Sequence, residues 1–236
     1  MELEFIPCYV RTWQSGKLKE KTDALNNLMK DPEAGKRPFI SGYAPRFGEE
    51  RVLVGKYGSG TINFADPGQD GKEISLMELA DAMLELQKKG CPNINLISPS
   101  RQIVQILEAL FFAAEKGLKI PLVYNSDAND SLEVIKQLEG LIDIYLPVLA
   151  SSYSKASVLE MHRQVGDLIV DGGLAYRGVL VRHLVLPNDI AGSEAVIKFI
   201  ANDVSKNTYL SIPCQNEGFK AVLDMARAQG LHRGLL

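Results

Sequence analysis

Few residues in this 236-residue chain combine a reactive type with a telling position. Arg182 and His183 stand side by side inside the apolar run Val179–Leu186, where a strand would turn neighbouring side chains to opposite faces. One of the two must then face the interior, and a charged or titratable group in such a run has to be paired or to serve a ligand. His162 sits among Val158, Met161 and Val165 at helical spacing, which reads as a packed, hydrogen-bonded imidazole rather than a base. His232, beside Arg233, has no partner that the sequence names. Asp127 follows an apolar run and Asp143 opens one; either could be a general base, and a turn or capping carboxylate is the plainer reading of both. Cys214, followed by Gln215 and Asn216, could be a nucleophile or a ligand, but no base or cation adjoins it and a neutral thiol fits better.

Gly55-Lys-Tyr-Gly-Ser-Gly60 has the composition of a phosphate-cradling loop. A dinucleotide loop follows a strand and opens a helix, whereas this one precedes the run Thr61–Phe64, so a tight turn before a strand is expected. The sequence contains no P-loop, no Gly-x-Ser-x-Gly elbow and no His-Glu-x-x-His. Cys8, Cys91 and Cys214 are odd in number and far apart, which suits reduced thiols and matches no zinc or cluster spacing.

The elements that would position these groups alternate in type from residue 61 onward. Strands are expected at Thr61–Phe64, Ile94–Ile97, Pro121–Tyr124, Ile142–Leu146, Gly178–Leu186 and Thr208–Ile212. The first helix buries Leu76, Leu79, Ala80, Met83 and Leu86, opens on the capping box Ser75/Glu78 and stops at Gly90. Pro99–Lys116 stacks Ile103, Ile106, Leu107, Leu110, Phe111 and Ala114 on one side. A short helix capped by Asp130 with Glu133 ends near Gly140, and Ser157–Val165, Ser193–Val204 and Phe219–Gln229 complete six βα units. The expected fold is therefore α/β, a partial (β/α)6 TIM-like barrel or an open sheet of parallel strands over residues 51–236. Residues 1–50, with a charged helix at Lys17–Lys30, read as an N-terminal helical extension. Ligands meet the carboxyl ends of such strands, which shortlists Asp66, Ser98, Ser100, Asn125, Ser126, Asp127, Asn188, Asp189, Gln215 and Asn216.

Lys plus Arg number 26 against 29 Asp plus Glu, a net charge of -3, so no basic excess points to nucleic acid or an anionic membrane. At 46% hydrophobic and 23% charged, the composition is that of a folded globular chain and not a disordered one. The longest apolar runs, such as Ile142–Ala150, fall short of the roughly 20 residues of a membrane span, and the acidic start is no signal peptide; a cytoplasmic location is expected.

Seven blocks carry a family resemblance: Gly58-Ser-Gly-Thr-Ile-Asn-Phe64, Gly90-Cys-Pro-Asn-Ile-Asn-Leu-Ile-Ser-Pro99, Leu122-Val-Tyr-Asn-Ser126, Ile142-Asp-Ile-Tyr-Leu-Pro147, Met161-His-Arg-Gln-Val-Gly-Asp167, Val181-Arg-His-Leu-Val-Leu-Pro187 and Gly230-Leu-His-Arg-Gly234. In this order they resemble the radical S-adenosylmethionine proteins of the pyruvate formate-lyase activating enzyme-like group, from about residue 45 to the C-terminus. The resemblance implies a partial (β/α)6 barrel. It also implies a loop after the first strand with Cys-x-x-x-Cys-x-x-Cys, whose thiolates hold a [4Fe-4S] cluster. Here that loop is Ala65-Asp-Pro-Gly-Gln-Asp-Gly-Lys72, without a cysteine. The Asp-Phe-Lys that the family carries after its Leu-Pro is replaced by Val148-Leu149-Ala150, and the segment after the last strand is reduced to Ser211-Ile-Pro-Cys-Gln-Asn216.

These losses concentrate at strand carboxyl ends while core and helix faces keep their pattern. The expectation is a cluster-free barrel, natural or engineered, without radical activity, acting as a binding or scaffold protein. Asn95, Ser98, Ser100, Asn125, Ser126, Arg182 and His183 would then line a pocket for a nucleoside or S-adenosylmethionine-type ligand, with no metal and no [4Fe-4S] cluster. One rival is an enzyme of new function using Asp127, His183 or Cys214; the other is an active radical enzyme resembling glycyl-radical-enzyme activases. The sequence names no protein partner.

Overall fold

The computed structural model describes residues 51–58, 60–65, 70–171, 174–186, 192–213 and 218–235. The expected extension over 1–50 lies outside the described residues, as do Cys8, Asp66, Asn188, Asp189, Cys214, Gln215 and Asn216. The chain is α/β and divides into two compact units, each gathered from separate stretches. The described part of the first runs to Leu96 and adds Arg101–Leu122 and Ile169–Tyr176; the second takes Ile97–Ser100, Val123–Leu168 and the chain from Arg177 onward.

The first unit opens on antiparallel strands. β1 (Arg51–Gly58) pairs with β2 (Thr61–Phe64) on one side and β3 (Lys72–Ser75) on the other, and β4 (Ile94–Ile97) lies beside β2. Gly58 stands opposite Thr61, so the glycine-rich stretch belongs to a β-hairpin. α1 (Leu76–Lys88) begins as its capping box requires: the Glu78 amide donates to Ser75 Oγ at 3.2 Å and the Ser75 amide to Glu78 Oε2 at 2.7 Å. Leu76, Leu79, Ala80, Met83 and Leu86 are buried, as their spacing predicts. α1 packs on α2 (Ile103–Glu115), which starts later than expected because Ser100–Gln102 form a 3₁₀ turn. The Gln87 side chain joins the two helices' loops: its amide donates to the Gly117 carbonyl at 3.1 Å and its oxygen accepts from the Lys119 and Ile120 amides.

The second unit has the parallel pattern that the sequence predicts. β5 (Leu122–Ser126) pairs with β6 (Ile144–Leu149), β6 with β8 (Leu174–His183), and β8 with β9 (Tyr209–Ser211), all parallel. Between them run α3 (Leu132–Gln137), α4 (Lys155–Val165) and α5 (Ser193–Phe199), continued by a π-helical turn Ile200–Val204; α6 (Phe219–Ala228) follows β9. Parallel neighbours need such crossovers, because no short turn can return the chain in the same direction.

Three strands depart from the expected series. β1, β3 and β7 (Ile169–Asp171) interrupt the βα succession. Only Ile74 is buried in β3 and nothing is buried in β7, so neither carries a periodic apolar signal. The cap of α3 also differs: Ser131, not Asp130, accepts the helix-opening bond, from the Val134 amide at 3.3 Å. Asp130 is turned inward.

Candidate functional site

Strand register sorts the candidate residues of the second unit. Tyr124 stands opposite Tyr145, Asn125 opposite Leu146 and Ser126 opposite Pro147. Val148 stands opposite Arg182, Leu149 opposite His183, and Arg182 opposite Ser211. Paired residues share a face and neighbours alternate. One face therefore carries Tyr124, Ser126, Tyr145, Leu149 and His183, and the other carries Asn125, Leu146, Val148, Leu180, Arg182 and Ser211. The first face looks towards the helices, since Tyr145 donates to Gln164 Oε1 of α4 at 2.7 Å and His183 meets Ser193 of α5. The second is the sheet's other side, and Asn125, Val148, Leu180, Arg182 and Ser211 are all half-exposed there.

The helix side is a closed polar network. Asp130, 6% exposed, accepts the Tyr124 hydroxyl on Oδ1 and the Ser126 hydroxyl on Oδ2, both at 2.7 Å, while its carbonyl accepts the Ser157 hydroxyl at 2.6 Å. The Ala128 amide donates to Ser126 Oγ at 3.2 Å. Burial first, and then the Asp130 carboxylate, hold the Tyr124 hydroxyl well above the usual phenol range, so it stays a donor. Ser100 Oγ lies 3.5 Å from that hydroxyl, and the Ser98 amide donates to the Asn125 carbonyl at 3.0 Å. Ser98 (φ 53°) and Ala128 (φ 60°) both take left-handed backbone, an uncommon conformation for residues with a Cβ. Ser98, Ser100, Asn125 and Ser126 are thus brought together around the end of β5.

His183 is held within the fold on both ring nitrogens. The ring is fully buried, with Nδ1 2.9 Å from the Leu149 carbonyl and Nε2 2.9 Å from Ser193 Oγ. A carbonyl only accepts, so Nδ1 carries a proton and donates to Leu149, while Nε2 is paired with the Ser193 hydroxyl. Ser126 is likewise committed, to Asp130 and the Ala128 amide.

Arg182 is the opposite case. Its Nε is buried without a hydrogen-bond partner, and no carboxylate among the described residues forms an ion pair with it. The half-buried Arg182 thus has Val148 and Ser211 as its cross-strand neighbours, while Asn125 stands on the same face two strands away, opposite Leu146.

Asn95 belongs to β4 of the first unit. It is 3% exposed, its main-chain amide donates to the Gly60 carbonyl at 2.7 Å, and neither polar atom of its side chain has a partner. Asp127 is an exposed turn carboxylate accepting the Asn129 amide at 3.2 Å. No hydrogen bond joins it to His183. His162 is packed and bonded, with Nε2 3.0 Å from Asp167 Oδ1, and Asp167 Oδ2 accepts the Ser205 hydroxyl at 3.1 Å. Cys91 is the thiol among the described residues, half-buried ahead of β4, and no group of three metal-ligating side chains occurs among those residues. Sequence reasoning missed Tyr124, Asp130, Ser193 and Ser211. Of these, only the Ser126–Asp130 spacing and the alternation that places Ser211 beside Arg182 left a trace in the sequence.

No family model matches this chain, and no curated protein or solved structure matches it significantly. No helix among the described residues is long and apolar enough to cross a membrane.

Proposed function

We propose that this chain is a cluster-free relative of the radical S-adenosylmethionine barrels that binds a small nucleoside-type molecule bearing a carboxylate, S-adenosylmethionine being the first to test. The observation that carries this reading is Arg182, a half-buried guanidinium with no carboxylate partner, on the sheet face opposite the helices. Asn125 and Ser211 would add hydrogen bonds and Val148, Leu146 and Leu180 an apolar floor, the mixture typical of small-molecule sites. The finer fold reading, a partial (β/α)6 barrel, belongs to the same proposal and is supported by the parallel succession β5, β6, β8, β9 with intervening helices.

The residues present do not fit a [4Fe-4S] cluster. Three thiolates from one loop are needed, whereas the cysteines stand at 8, 91 and 214 and Cys91 precedes its strand. The chain's part is to bind: Arg182 neutralises the ligand's carboxylate, and the helix-side network around Asp130 holds the end of β5 in place.

The test is calorimetric titration with S-adenosylmethionine, S-adenosylhomocysteine and adenosine. The first two should bind, and Arg182→Met should weaken both by about 10- to 100-fold, as expected for loss of a charge-assisted bond, while leaving adenosine unchanged. Absence of heat with all three ends the proposal. Anaerobic iron and sulfide reconstitution of the same sample should leave no iron; about four irons per chain would restore the radical reading.

A further inference from the structure

Buried polar side chains of this protein are bonded within the fold: Ser126, Asp130, Ser157, Gln164 and His183 all have partners. Among the described residues four buried side-chain polar atoms go without one, and two of the four, Nδ2 and Oδ1, belong to Asn95. Asn95 stands in β4 between Ile94 and Leu96, both fully buried, and alternation along the strand turns its side chain to the face opposite theirs. Its main-chain amide is paired with the Gly60 carbonyl, so the carboxamide alone is left over. The adjacent strand β2 alternates likewise, with Ile62 and Phe64 buried, Thr61 half-buried and Asn63 exposed. Apolar positions of neighbouring strands share the core side, so Thr61, Asn63 and Asn95 share the other. They make a polar strip that begins at the buried carboxamide and reaches solvent at Asn63.

A carboxamide with neither end bonded costs the fold stability, whereas a leucine of nearly the same size would bury no polar atom. Its donor and acceptor lie side by side in one plane, which is complementary to one kind of group: a planar edge with an acceptor beside a donor. Primary carboxamides and amino-substituted heterocycles carry that edge, and asparagine pairs with adenine through it. We infer that Asn95 is the specificity-determining residue of a further site, in the first unit, for a small planar molecule with a carboxamide or amino-heterocycle edge. The two carboxamide bonds fix the orientation of that edge, and the Thr61 hydroxyl and the Asn63 amide supply polar groups along the strip. The site is independent of the ligand reading at Arg182, since it needs no carboxylate and its residues belong to the other unit.

Calorimetric titration of the full chain with nicotinamide and with adenosine tests it, the controls being methyl nicotinate and purine riboside, which lack the N–H donor of the edge. At least one of the two probes should bind, and which binds tighter tells the carboxamide from the heterocycle. Its control should bind about 10- to 100-fold more weakly, and Asn95→Leu should weaken the probe by a similar factor, as expected for loss of a paired donor and acceptor. A chain that binds neither probe overturns the inference, and so does a folded Asn95→Leu variant that binds as well as the unaltered chain. Should that variant unfold, magnetic resonance on the unaltered chain with isotope-labelled asparagine decides. The side-chain amide signal of Asn95 must move as the bound probe is added, and a signal that stays in place overturns the site.

Discussion

Asp130 spends every acceptor it has within the fold: both carboxylate oxygens take hydroxyls, and its carbonyl takes a third. Replacing it by Ala would leave the Tyr124 and Ser126 hydroxyls buried without acceptors, a loss of roughly 2–4 kcal/mol in urea unfolding, whereas Ser126→Ala should cost about 1 kcal/mol. A double-mutant cycle on the pair should show strong coupling, and additive losses would remove Asp130 from its organising role. This residue also marks the limit of reading a sequence at the residue scale. Asp130 and Ser131 are adjacent and both are competent helix caps, so only the tertiary partner, Tyr124 six positions earlier, decides which of them turns inward. The opposite facing of Arg182 and His183 was legible from a period of two alone. Which of them met the helices was not, because both faces of a parallel strand are apolar.

At the scale of elements, α4 carries a charge whose titration can be followed. Glu160 is held by both guanidinium bonds of Arg163, at 2.8 and 2.7 Å, and by the Gln164 amide at 3.0 Å. The Arg163 bonds, more than burial opposes, bring its carboxyl from 4.5 down to about 2. A carboxyl whose value is lower in the folded state lends stability above its unfolded value and loses it on acidification. Stability should therefore drop between about pH 4.5 and pH 2, and Glu160→Gln should flatten that part of the profile in urea unfolding; an unchanged profile would free Glu160 of the role. Which elements were legible follows from length and periodicity. α1 announced itself through five apolar positions and a capping box. β3 and β7, four and three residues long, hold too few positions to show any period, and their strand state comes from pairing rather than local preference. Gly178 is a second tertiary demand: with φ 126°, a Cβ there would strike the backbone of Asp167 and Leu168, which lies against β8. Gly178→Ala should cost more than about 1 kcal/mol, seen as a lowered melting temperature, and a neutral result would mean that this backbone approach relaxes freely.

For the whole molecule, the second unit is built on the parallel strands β5, β6, β8 and β9 with helices between them. On the face away from the helices it carries Arg182, whose buried Nε has no hydrogen-bond partner, opposite Ser211. Of the polar residues shortlisted from sequence, Ser126 and His183 are hydrogen-bonded within the fold, whereas Arg182 Nε has no partner among the described residues. That division depended on hydrogen bonds between residues far apart in sequence, such as His183 with Leu149, which spacing along the chain does not encode.

The interleaving of the two units also governs how the chain is made. Synthesis delivers Ile97–Ser100, a piece of the second unit, in the middle of the first, and delivers Ile169–Tyr176, a piece of the first, only after half of the second has emerged. Neither unit can be finished while the ribosome is still short of residue 176. A nascent chain paused earlier holds two incomplete cores at once, each exposing apolar surface that the finished unit buries.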